Sequence, residues 1–114
     1  MNYTQLDPEK CEFVPVADVD EILNGERLFL EVGEEYLVVF NIAGDYYAIA
    51  DLCSHDDGPL GDGELAGHEV VCPRHGARFD VRSGKALTLP APEDIPAYPV
   101  RVRDGQIEVG FLKE

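Results

Sequence analysis

Short runs of alternating apolar and polar residues, broken every few positions by Gly, Pro or Asp, extend along the whole chain and exclude long helices. Cys11 to Val16 predicts a first strand. Asp18 then caps one helical turn, Val19 to Leu23, which Gly25 stops. Arg27 to Val32 and Tyr36 to Ile42, rich in β-branched and aromatic side chains, flank Gly33-Glu34-Glu35 as a hairpin, and Gly44-Asp45 turns the chain into Tyr46 to Ala50. Glu69 to Cys72 predicts another short strand, and Arg78 to Val81 a further one before the turn at Ser83-Gly84. After Ala86 to Leu89, Pro90, Pro92, Pro96 and Pro99 bring no N–H group to a ladder, so this stretch is expected to be a surface loop. Tyr98 to Arg103 and Gln106 to Leu112 alternate around Asp104-Gly105, a favoured two-residue hairpin turn. The elements add up to an all-β fold of antiparallel meanders.

The 114 residues fit one domain, spanning 1–114, and leave no room for a separate substrate domain. Against 9 Lys and Arg stand 23 Asp and Glu, a net charge of −14 that repels phosphate backbones and anionic lipid, so neither nucleic acid nor membrane is an expected partner. The excess is local: residues 1–68 carry 16 acidic side chains and only Lys10 and Arg27 as basic ones. No apolar run approaches the roughly 18 residues a membrane helix needs, and the first residues lack a basic-then-apolar leader, so the expected location is the cytoplasm. Three Cys argue against a disulfide framework and direct attention to metal ligation. Cys11, in a predicted strand, reads as a small buried hydrophobe, and His68 as a turn or surface residue.

The candidate chemistry is in the middle of the chain, at Cys53-Ser54-His55 and Cys72-Pro73-Arg74-His75. Each Cys/His pair follows a strand-like run, so two loops from one sheet can bring four ligands to a point. Two thiolates and two imidazoles suit a tetrahedral zinc or an iron–sulfur pair. Zinc fingers usually segregate both Cys from both His, whereas here each close pair mixes them, which suits two metals. Gly58, Gly61, Gly63 and Gly67 between the pairs permit tight turns and close backbone approach.

The order C-S-H, sixteen residues, then C-P-R-H-G resembles the Rieske signature C-x-H…C-x-x-H-G. The similarity extends to Gly76, Phe79-Asp80, Ser83-Gly84-Lys85, Pro90-Ala91-Pro92 and the terminal Asp104-Gly105 hairpin, all of which look like small Rieske ferredoxins. This resemblance implies the all-β Rieske iron–sulfur-protein-like fold: antiparallel sheets, with a small cluster-binding subdomain at about residues 51–90 inserted in a β base. It implies one [2Fe–2S] cluster per chain, with Cys53 and Cys72 on the buried iron and His55 and His75 on the outer one. Gly58, Pro73, Arg74, Gly76, Ala77, Phe79, Pro90 and Pro92 would surround it, the proline loop acting as a stiff cover.

Rieske proteins of respiratory bc complexes add a Cys to each ligand loop, where this chain has Gly58 and Arg74. They also carry a Ser and a Tyr that donate hydroxyl hydrogen bonds to sulfur, and Ala77 and Phe79 stand there instead. Fewer donors stabilise the reduced cluster less, so the potential is expected in the lower half of the Rieske range of roughly −150 to +300 mV. The net charge of −14 acts in the same direction, and Arg74, Arg78, Arg82 and Lys85 oppose it. The resemblance therefore implies a low-potential ferredoxin that is not itself an enzyme: a one-electron carrier from a flavin-containing ferredoxin reductase to a terminal oxygenase or other redox acceptor. An accessory ferredoxin of iron–sulfur cluster assembly is an alternative, resting on the run from His75 to Pro92. A structural zinc module serving as an interaction domain is the alternative from another class.

Overall fold

In the computed structural model, residues 6–51, 59–73, 76–88 and 93–113 are described. Strand β1 (Cys11–Asp18) leads through a 3₁₀ turn, Val19–Glu21, to β2 (Arg27–Val32), β3 (Glu35–Ile42) and β4 (Asp45–Ala50). Next come the short strands β5 (Leu65–Ala66), β6 (Glu69–Val71) and β7 (Arg78–Asp80), then β8 (Ala97–Tyr98), β9 (Val100–Arg103) and β10 (Gln106–Leu112). The helical turn expected over Val19 to Leu23 is shorter than its pattern suggested. The Asp18 N–H donates to Glu21 Oε2 at 2.7 Å, and Gly25, at φ +85°, ends the segment.

The strands form three antiparallel sheets of order β1-β10-β9, β2-β3-β4-β8 and β5-β6-β7. The middle sheet is a layer with two apolar faces, because period 2 sends successive side chains to opposite sides. Leu37, Val39, Ala48 and Tyr98 on one face meet Ile107 and Val109 of β10. Val38, Phe40, Ile49 and Ala97 on the other face meet Leu60, Val70, Cys72, Phe79 and Val81. Strand β3 therefore reads as a continuous apolar run, Leu37 to Phe40, each residue without exposed surface. Pro15 is accommodated because β1 is an edge strand, with a bulge between Pro15 and Ala17.

Two expectations are corrected. The proline-rich stretch up to Pro99 is not a surface loop over its whole length: Ile95, Ala97 and Tyr98 are buried, and β8 pairs with β4 through Ile49–Ala97 and Ala48–Tyr98. Tyr98 to Arg103 is also not one strand. Pro99, with no N–H to offer, marks the point where the chain leaves the middle sheet for the outer one, and its carbonyl accepts from the Gly110 N–H at 2.8 Å. The Asp104-Gly105 turn is as expected, both residues having the positive φ (52° and 77°) that a two-residue hairpin requires. Past the Ser83-Gly84 turn, Ala86 forms an isolated antiparallel bridge with Phe79. Cys11 is buried opposite Leu112 in β1, and burial, followed by the nearby Asp7 charge, pushes its thiol above its ordinary value.

Candidate metal centre

Of the residues singled out in the sequence, Cys53, His55, Gly58, Arg74, His75, Pro90 and Pro92 lie outside the described residues. Cys72, Pro73, Gly76, Ala77 and Phe79 are described. Cys72 follows β6 directly and is 1% exposed, packed in the apolar cluster that contains Val70, Ala77 and Phe79. The chain that leaves Cys72 is pinned where it returns: the Cys72 N–H donates to the Ala77 carbonyl at 2.7 Å, and the Gly76 N–H donates to the Cys72 carbonyl at 2.9 Å. Gly76 has φ +74°, a left-handed conformation that a residue with a Cβ rarely adopts. Pro73 and Gly76 are exposed, whereas Ala77 and Phe79 have no exposed surface.

β7 and the segment after it brace this turn. Leu87 N–H donates to the Arg78 carbonyl at 2.8 Å, and the Arg78 N–H to Thr88 Oγ1 at 2.9 Å. Arg78 and Arg82 are engaged locally, with Glu69 at 3.4 Å and with Asp80 at 2.9 Å. The hydrogen bond from Arg82 holds the Asp80 carboxyl below its ordinary value, and these carboxylates offset part of the positive charge that the sequence places near the second ligand loop. His68 lies in the β5–β6 turn, half-buried, its ring edge-on to Tyr47 with centroids 5.6 Å apart.

Two residues that the sequence reading passed over hold the segment between the two Cys/His pairs. Asp51 directly follows β4, and its Oδ1 accepts from the N–H groups of Leu60 at 2.9 Å and Gly61 at 2.6 Å. From β2, an Arg27 guanidinium nitrogen donates to the carbonyls of Gly61 at 2.5 Å and Gly63 at 2.6 Å. The Arg27 guanidinium also lies over the Phe40 ring, 5.1 Å from its centroid. No short motif encodes these contacts, since they join positions far apart in sequence.

The surroundings of Cys72 fit a thiolate bound to a metal. The sulfur-bearing residue is in an apolar place that excludes water, on a tight turn whose backbone approaches closely, and an ionised sulfur in such a place needs the metal's charge.

A sequence profile of the family described as Rieske [2Fe-2S] domain matches residues 12–99. The 3-phenylpropionate/cinnamic acid dioxygenase ferredoxin subunit of Escherichia coli (strain K12) is 43% identical over 94 residues, covering 82% of this chain and 85% of that protein. The ferredoxin of carbazole 1,9a-dioxygenase from Nocardioides aromaticivorans IC177 superposes with a TM-score of 0.80 at 34% identity, over 85% of this chain and 95% of the other. A ferredoxin in a complex of reduced oxygenase and oxidized ferredoxin of carbazole 1,9a-dioxygenase gives a TM-score of 0.81 at 27% identity, over 90% and 95% of the two chains.

Proposed function

The chain belongs to the Rieske [2Fe–2S] family, and from that premise we propose that it is the ferredoxin of a dioxygenase-type system, carrying single electrons from a flavin-containing reductase to a terminal oxygenase. The observation that carries this reading is the match, over more than four-fifths of each chain, with small proteins named as ferredoxin components of such systems. One cluster per chain follows from the family. We assign Cys53 and Cys72 to one iron and His55 and His75 to the other, within a single domain 1–114 whose cluster-binding part spans about residues 51–90.

When bound, the cluster supplies a reversible one-electron couple, and replacing two thiolates by neutral imidazoles raises its potential above that of an all-Cys centre. The polypeptide holds, orients and shields it. Cys72 presents its thiolate from a turn fixed by two backbone hydrogen bonds, and Val70, Ala77 and Phe79 keep water from its side of the site. Neither Ala77 nor Phe79 offers a hydroxyl to sulfur, which supports a potential in the lower part of the family's range. No helix among the described residues is long and apolar enough to cross a membrane. We place the protein in the cytoplasm, a compartment that keeps its three cysteines reduced.

Electron paramagnetic resonance of the anaerobically purified, chemically reduced protein tests this reading, with iron and zinc quantified on the same sample. A rhombic signal of low average g and two irons per chain are expected. Spectral silence with one zinc per chain would replace the carrier by a zinc-based interaction module.

A further inference from the structure

We propose that Arg27 and Asp51 are positioning residues that fix the two ligand loops relative to one another by clamping the segment from Leu60 to Gly63 on both its N–H and C=O sides; this rests on the assignment of Cys53 and Cys72 as ligands. Asp51 is the residue from which the chain departs toward Cys53, and its Oδ1 captures the returning chain at the N–H groups of Leu60 and Gly61. The carbonyl of the same Gly61, with that of Gly63, accepts from Arg27. A single residue, Gly61, is thus gripped by a carboxylate at its N–H and a guanidinium at its C=O, on the two successive peptide units that flank its Cα. Hydrogen bonds of this charge-assisted kind are shorter and about twice as strong as neutral ones.

The clamped segment also reaches the second ligand loop. A Cβ on Gly61 would stand 2.6 Å from Phe29 Cε1 and 3.1 Å from Val38 Cβ, so this residue lies directly on the middle sheet. A Cβ on Gly63 would overlap the Val71 carbonyl, so the segment lies equally close against β6. The Val71 N–H donates to the Glu64 carbonyl at 2.9 Å, and the next residue is Cys72. The run from Leu60 to Glu64 is therefore a spacer between Asp51, at the foot of one ligand loop, and Val71, at the foot of the other. Its thickness is set by two glycines and its position by Arg27 and Asp51. Of the two basic side chains among residues 1–68, one is committed to this task.

The test compares Arg27→Ala, Asp51→Ala and Asp51→Asn with the wild-type holoprotein, using Arg101→Ala as a control. Arg101 pairs with Glu108 at 2.6 Å in the outer sheet, so its loss lowers thermal stability without touching the spacer. With a ferrous-iron chelator, both alanine variants are expected to release iron about ten-fold faster or more than wild type, the scale seen when groups that orient ligands are removed. Their reduced spectra should show shifted g values. Asp51→Asn keeps an acceptor oxygen and should recover most of the retention, while the control behaves as wild type. Wild-type release rates and g values in both alanine variants would overturn the proposal. Should those variants fail to fold, hydrogen exchange in the wild-type chain decides: slow exchange at Leu60 and Gly61 supports the clamp, and exchange at the rate of an open loop removes it. A wild-type protein without iron would refute the ligand assignment instead, and the exchange experiment on that metal-free chain would still report on the clamp.

Discussion

Tyr98, at the end of β8, donates its phenol hydrogen to Glu35 Oε1 at 3.1 Å and ties the late-arriving edge of the middle sheet to the first residue of β3. Tyr98 is 7% exposed, and burial first, then the adjacent Glu35 charge, pushes the pKa of its phenol well above the ordinary 10.0. Because the folded-state value is the raised one, the stabilisation is fully present below the unfolded pKa of about 10 and is lost as pH climbs toward the folded value. An ultraviolet absorbance titration of the native protein should show no Tyr98 contribution at about pH 11, so Tyr98→Phe should have the same amplitude there as wild type. An amplitude one tyrosine smaller in Tyr98→Phe would show an ordinary phenol. Glu35→Gln, which removes the neighbouring charge, should bring the Tyr98 transition down in pH.

Asn41 is buried at the end of β3, and both halves of its amide are used. Nδ2 donates to the Ile22 carbonyl at 2.8 Å, and Oδ1 accepts from the Gly44 N–H at 2.9 Å. Asn41→Leu fits the space but leaves the carbonyl of the fully buried Ile22 without this partner, so a loss of about 1–3 kcal/mol is expected in urea unfolding. Asn41→Asp replaces the donor by an acceptor facing that carbonyl, and its penalty should shrink in acid as the carboxyl gains a proton. Equal stability of Asn41→Leu and wild type would remove the amide from the account of how the Ile22 segment is held.

Ala77 and Phe79 lack the hydroxyls that would hydrogen-bond sulfur. If those absences lower the potential, Ala77→Ser and Phe79→Tyr should each raise the midpoint measured by spectroelectrochemistry, because a donor to sulfur favours the reduced form. Phe79 has no exposed surface, so a tyrosine hydroxyl that found no partner there would cost about 1–3 kcal/mol. The two readouts separate the cases: a raised potential with stability retained is the expected result. An unchanged potential in both variants would remove the missing hydroxyls from the account of the potential.

The fold was legible where local chemistry dictates it. Asp104-Gly105 adopts positive φ at both residues, and the period-2 pattern on either side fixes the register of the hairpin it closes. Illegible from sequence was anything decided by distant packing. Pro99 reads as loop punctuation, yet it is where one continuous extended stretch changes sheets, and only the partners β4 and β10 reveal that. Ile95 and Ala97 lie among prolines and still belong to the core. At the candidate site, the Cys/His spacing carried the family resemblance, and the structure adds that Cys72 is buried. Arg27 had no such signal, since a basic residue in an amphipathic strand ordinarily reads as a solvated one, and its carbonyl partners lie more than thirty positions away.

The pairing of Cys11 with Leu112 has a consequence for synthesis. β2, β3 and β4 join neighbours in sequence and can zip together as soon as they leave the ribosome, but the apolar face made by Leu37, Val39 and Ala48 has only part of its cover, Ile22 among it, until Ile107 and Val109 arrive. At roughly 5–20 residues per second, the wait between residue 50 and residue 112 is about 3–12 s. Throughout it the nascent chain shows a greasy surface to its neighbours. Eleven of the sixteen carboxylates of residues 1–68 are already made when the wait begins, and their mutual repulsion opposes contact between half-made copies on one messenger.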